Sequence, residues 1–147
     1  MSPVKNIFII DDDTTFVFLT KKIIKSTGID INLSEFNDGQ EAFEFLRENA
    51  DNDEILPDII FLDLSMPIMD GWEFLEVYAF IAPKIKKDIR LYIFSSSISP
   101  HDIERAKEFN MVTNFIIKPL VKEKFIELIE NRSVKSLTPQ LMNHYYS

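Results

Sequence analysis

Residues Ile59–Gly71 read IIFLDLSMPIMDG. Four apolar residues lead into one aspartate, Asp63, and a Met-Pro pair and a glycine follow. A run that is wholly apolar suits a strand buried on both faces, as in a parallel sheet. A carboxylate ending such a strand stands on the rim of the sheet, among the loops that carry function. Whether Asp63 is a solvated end or a working group depends on what the other strands bring to that rim.

Four further runs read as strands: Val4–Ile10, Ile29–Glu35, Ile89–Ser95 and Val112–Ile117. Ile29–Glu35 is the weakest, alternating apolar and polar. Helical patterns lie between them. The first starts near Asp13, sets Phe16, Leu19, Ile23 and Ile24 at helical spacing, and stops at Gly28. The second starts at Asp38 with Glu41 three residues on, a capping-box spacing, and carries Ala42, Phe45 and Leu46 inward. The third starts around Asp70, with Glu73 in the same relation. Ser99-Pro100 opens the fourth as a cap followed by proline. The fifth follows Pro119 and carries Leu120, Lys124, Phe125, Leu128 and Ile129. Five βα units in one chain predict an α/β fold, a five-stranded parallel doubly wound sheet with helices on both faces. Ligands of such sheets sit outside the carboxyl ends of the strands.

Composition narrows the function. The chain has 147 residues, enough for one domain, and a net charge of −8, which disfavours nucleic acid. There are no cysteines, so disulfides and thiolate metal sites are excluded. Three glycines, at 28, 39 and 71, rule out a Gly-rich phosphate loop. The apolar start of the chain is too short to span a membrane and lacks a signal-peptide layout, so the expectation is a cytoplasmic protein.

At the strand ends stand Asp11-Asp12-Asp13, then Asp63, then Ser95-Ser96-Ser97, then Lys118-Pro119. Taken singly, each has an ordinary reading. Asp13 suits a helix cap, the serines a polar loop, Lys118 an exposed lysine. Their coincidence at successive strand tips is the signal. Carboxylates gathered at close range repel, and a divalent cation removes the conflict; an all-oxygen site suits magnesium, with manganese as the alternative. Such a cation, a lysine and a hydroxyl together can neutralise a phosphoryl group while one carboxylate attacks it and forms an acyl phosphate.

These residues resemble the receiver domain of two-component response regulators. The resemblance spans about Val4 to Asn131 and rests on an apolar run with an acidic pair, FLDLSMPIMDG, FSS and IIKP. It implies a flavodoxin-like sheet of strand order 2-1-3-4-5, with residues 1–131 as the receiver and 132–147 as a short tail without an output domain. It implies Asp63 as phospho-acceptor, and magnesium held by Asp11, Asp12, Asp63 and the backbone carbonyl of Ser65. Ser95 takes the place of the switch hydroxyl, Lys118 of the lysine that pairs with the phosphoryl group, and Phe115 of the switch aromatic. Pro67 and Gly71 fit the family's turn after the acceptor. Lys118-Pro119 falls where the family has a cis bond. Ser65 and Ser97 sit where the family tunes phosphoryl lifetime.

The implied partners are a histidine kinase or histidine phosphotransfer protein and a downstream protein target, with no nucleic acid and no membrane; a homodimer stays open. The output face would be α4-β5-α5, where Ile98, His101, Arg105 and Phe109 are candidates. One departure from the family is Arg47–Pro57, RENADNDEILP, an acidic surface loop longer than the usual link into the third strand. Two rival readings remain. Asp11–Thr15 also fits the D-x-D-x-T pattern of haloacid-dehalogenase-like phosphatases, with Asp11 as nucleophile and Asp13 as acid/base, but that leaves DLSMPIMDG without a role. A scaffold that binds partners without phosphorylation would leave the whole site unused.

Overall fold

A computed structural model describes residues 3–130; the tail expected at 132–147 lies outside the described residues. The strands are β1 (Asn6–Ile10), β2 (Asn32–Phe36), β3 (Ile59–Asp63), β4 (Arg90–Ser95) and β5 (Val112–Ile117). The α-helices are α1 (Thr14–Ser26), α2 (Gly39–Glu48), α3 (Gly71–Ile81), α4 (Pro100–Ala106) and α5 (Lys122–Glu130). All strand pairs are parallel and the order is β2-β1-β3-β4-β5, as expected.

The pleat sends alternate residues to opposite faces, which explains why the central strands are apolar throughout. Phe8, Ile10, Ile60, Leu62 and Ile93 pack with Leu46, Phe74, Leu75 and Ile103 on the α2–α3–α4 side. Ile7, Ile9, Phe61, Tyr92 and Phe94 pack with Phe16, Val17, Ile24, Phe125 and Leu128 on the α1–α5 side. Each fully buried large apolar side chain contributes about 1.5–3 kcal/mol, so both layers are needed to hold the sheet.

The predicted caps form. Asp13 Oδ1 accepts from the Phe16 N–H at 3.0 Å, and Asp38 Oδ1 accepts from the Glu41 N–H at 2.9 Å. Asp70 and Glu73 complete a reciprocal capping box on α3. Ser99 caps α4 ahead of Pro100. Gly28, at φ +75°, closes α1 by donating to the Lys25 carbonyl.

Several boundaries differ from the sequence reading. β1 begins at Asn6 and β2 at Asn32, although the Lys5 carbonyl just ahead of β1 still accepts from the Asn32 N–H. The inward stripe of α1 is Phe16, Val17, Thr20 and Ile24, and Leu19 is half exposed. Leu120 is buried but precedes α5. The long link into β3 begins at Asn49, since Arg47 and Glu48 complete α2. That link is more than a surface loop: Leu56 is fully buried within it. Lys87 Nζ donates to the carbonyls of Asp53 and Leu56 at 2.9 and 2.7 Å and pairs with Asp58 at 3.3 Å. Asn6 Nδ2 donates to the Glu54 and Leu56 carbonyls. The link is therefore clamped at the end of the sheet opposite the strand tips discussed below. Among the described residues no helix is long and apolar enough to cross a membrane.

Candidate functional site

Register brings the strand tips together. Ile10 lies beside Leu62, Asp63 beside Phe94, and Ser95 beside Ile117. The next residues along β1 and β5, Asp11 and Lys118, extend the ladders by donating to the Phe36 and Ser95 carbonyls at 2.9 and 2.8 Å. An open cleft of about 750 Å³ results, lined by Asp12, Asp63, Ser65, Trp72, Ser95 and Lys118 among others.

The acidic trio is the core of it. Carboxylate oxygens of Asp11, Asp12 and Asp63 all lie within 4.8 Å of one another. Lys118 Nζ stands 2.9 Å from Asp11 Oδ2 and 3.3 Å from Asp63 Oδ1. The first contact is a close, buried ion pair, and a carboxylate oxygen so engaged still has a second lone pair to offer. The other Asp11 oxygen accepts from the Asp13 N–H at 3.0 Å, fixing the carboxylate. Burial first, and then the Asp11 charge, push the Asp63 carboxyl up to about 6, against the pull of Lys118. Burial lowers the Lys118 value, but Asp11 and Asp63 outweigh it and the net direction is up, so the lysine is charged.

This arrangement fits a hard divalent cation. The donors are all oxygen, they lie close enough to share one ion, and the proton affinity of Asp63 is raised first by burial and then by the Asp11 charge, both of which a bound cation would offset.

The turn after Asp63 is built by close backbone approach. The Gly71 N–H donates to the Leu64 carbonyl at 2.9 Å. A Cβ on Gly71 would lie 2.5 Å from the Asp63 carbonyl oxygen and 2.8 Å from Leu64 Cα. Ile68, between Pro67 and Met69, sits at φ +67° and is 75% exposed, a costly conformation for a β-branched residue. Lys118-Pro119 is cis.

The remaining residues are placed as follows. The Ser95 hydroxyl donates to the Ser97 carbonyl, so it is tied to its own loop. Phe115 is buried among Ile93 and the α2–α3–α4 core. Ser65 is on the rim of the cleft. Ile98 and Phe109 pack partly against the same core, His101 is exposed, and the Arg105 guanidinium lies over the Trp72 ring. Sequence reasoning gave Phe16 and Trp72 no part in the site. Phe16 in fact faces the Lys118 ammonium, with Nζ 4.2 Å from the ring centroid. Trp72 lines the cleft. For Phe16 the only signal was its place three residues after the caps of an inward helical stripe, which reads as packing.

The chain is similar to several known proteins. It is 32% identical over 131 residues to the sensor histidine kinase CheAY of Helicobacter pylori, covering 86% of this chain and 14% of that one. It thus spans a small part of that kinase's length. The crystal structure of a two-component response regulator from Cytophaga hutchinsonii superposes with a TM-score of 0.76 at 27% identity, covering 86% of this chain and 95% of the other. The Mn(2+)-bound form of response regulator Rcp1 superposes with a TM-score of 0.68 at 25% identity, covering 91% and 97%. Residues 7–130 match the family model of the response regulator receiver domain, and with the strand order and rim of acids described above, the chain belongs to that family of two-component signalling domains.

Proposed function

We propose that this domain accepts a phosphoryl group on Asp63 and uses it to change the α4-β5-α5 face. Receiver domains take phosphoryl groups from histidine kinases and act on downstream targets. Here the donor would be the phosphohistidine of a kinase or phosphotransfer protein. An Asp63 oxygen forms the new O–P bond as the P–N bond breaks, and the departing imidazole takes up a proton. The Lys118 ammonium, already in reach of Asp63, neutralises one phosphoryl oxygen. Asp11 and Asp12, with Asp63 and the Ser65 carbonyl, would hold magnesium or manganese, which when bound supplies the remaining positive charge and orients the phosphoryl oxygens. The Ser95 hydroxyl exchanges its Ser97 carbonyl for a phosphoryl oxygen. Buried Phe115 fills the space beside β4 in that form. The product is a population shift, driven by bonds that only the phosphorylated state makes.

The observation that carries this reading is the meeting of three carboxylates and one lysine at a single rim, with Asp63 under the pressure of both. Asp13 bears on the phosphatase alternative. One of its oxygens caps α1 while the residue still lines the cleft, so the stronger objection is that the phosphatase reading leaves Ile59–Gly71 without a role.

Beryllofluoride with magnesium tests the proposal. It should bind at Asp63, shift amide resonances of α4 and β5, and fail to bind the Asp63→Asn variant. Radiolabel from a phosphohistidine donor should follow the same pattern. Labelling that survives Asp63→Asn defeats the assignment. Turnover of phosphate esters dependent on Asp11 would support the phosphatase instead.

A further inference from the structure

Lys118 has a neighbour that neither step above uses. Besides the two carboxylates, its ammonium faces the Phe16 ring at 4.2 Å. That ring is held from behind. It is 8% exposed and meets Phe94 of β4 edge-to-face, with centroids 5.1 Å apart at 86°. Phe94 in turn packs on Phe61 of β3 at 4.8 Å. The aromatic face is thus fixed by the two strands that carry Asp63 and Ser95.

A lysine stem is long and flexible, and its head goes where its partners hold it. Asp11 and Asp63 hold it at rest, but those same carboxylates are the donors for a cation, and Asp63 is the acceptor. Once their charge is committed elsewhere, their pull on the ammonium weakens. The face of an aromatic ring attracts a cation through its quadrupole, carries no net charge, and competes for nothing in that donor set. A leucine at position 16 would fill the core without supplying this.

We propose that Phe16 is a positioning residue: its ring face keeps the Lys118 ammonium at the acceptor when the carboxylates are engaged. The inference rests on the reading of Asp63 as phospho-acceptor.

Fluorination separates this role from packing. Phenylalanine bearing one, two or three ring fluorines at position 16 keeps its shape while its face loses negative potential stepwise. Two readouts are needed. In magnesium-free protein, the Lys118 ε-methylene protons should be displaced upfield by the ring current and return to ordinary positions in Phe16→Leu. With magnesium and acetyl phosphate, the rate of Asp63 labelling should fall with each fluorine, by about three- to tenfold over the series, while the melting temperature stays constant. Ordinary methylene shifts in the native protein overturn the contact. Upfield shifts with a labelling rate indifferent to fluorine overturn the positioning role. Native protein that shows the shifts but takes no label overturns the receiver reading and leaves the contact supported.

Discussion

The guanidinium of Arg105 lies 4.6 Å from the centre of the Trp72 ring, joining α4 to α3 beside the cleft that Asp63 lines. Phe109 flanks the same ring at 6.2 Å. Trp72 is the sole tryptophan of the chain, so its fluorescence reports this junction alone. Magnesium with beryllofluoride should change its emission, and Asp63→Asn should abolish the response. Arg105→Ala should shift the resting emission to longer wavelength and lower stability by about 0.5–1 kcal/mol. An emission spectrum unmoved by Arg105→Ala would show that the two groups do not touch in solution.

Acid dependence follows from Asp63. The unfolded chain ionises it near 3.8 and the folded chain at about 6. Between those values the folded state holds a proton that the unfolded state has lost. Its contribution is therefore fully present below 3.8 and is lost as pH rises through 6, leaving the ionised carboxylate costing on the order of 3 kcal/mol, less the part that solvent screening at the open rim removes. In chelator, Asp63→Asn should be more stable than the native protein at pH 8, with the gap closing toward pH 4. Urea midpoints across that range would show it; a gap that widens on acidification contradicts the environment described. Magnesium at pH 8 should restore the native protein selectively.

Gly71 is a steric requirement of the turn that follows Asp63. Its missing Cβ leaves room for the backbone of Asp63 and Leu64, neither of which can yield as a side-chain tip would. Gly71→Ala should lower stability by about 1–3 kcal/mol and slow Asp63 labelling together. Unimpaired labelling in a folded Gly71→Ala protein would mean that the turn relaxes without moving the carboxylate.

Lys87 predicts the opposite pattern. Its ammonium is largely buried between Asp58 and two carbonyls at the far end of the sheet. Lys87→Met takes the ammonium from Asp58, whose other oxygen still accepts from the Lys5 and Asn6 N–H groups, and should cost about 1–3 kcal/mol in chemical denaturation. Asp63 labelling, measured well below the transition, should be unchanged.

These cases show what the sequence makes legible. Ile59–Asp63 could be read because a strand buried on both faces is apolar until it reaches the rim, where the first polar residue marks the tip, whereas edge strand β5 carries Thr113 and Asn114 inside it and was legible only from its apolar end, Phe115–Ile117. The caps were readable for a similar reason: Asp13, Asp70 and Ser99 act within three residues of themselves. The α1 stripe was less so. Leu19 and Thr20 are adjacent, and hydropathy turns the leucine inward, whereas the helix buries the threonine. Ile68 gave no sign of its positive φ, since isoleucine is among the last residues expected there. The Phe16–Lys118 and Lys87–Leu56 contacts join residues far apart in the chain, and nothing in local pattern encodes such pairings.

The link 49–58 takes its shape from residues outside itself. Lys87 holds two of its carbonyls and Asn6 holds two, sharing Leu56, while Leu56 itself sinks into the core. Such a segment is not portable: grafted between α2 and β3 of another receiver, it would arrive without its anchors and collapse into an unstructured acidic bulge unless both side chains travelled with it.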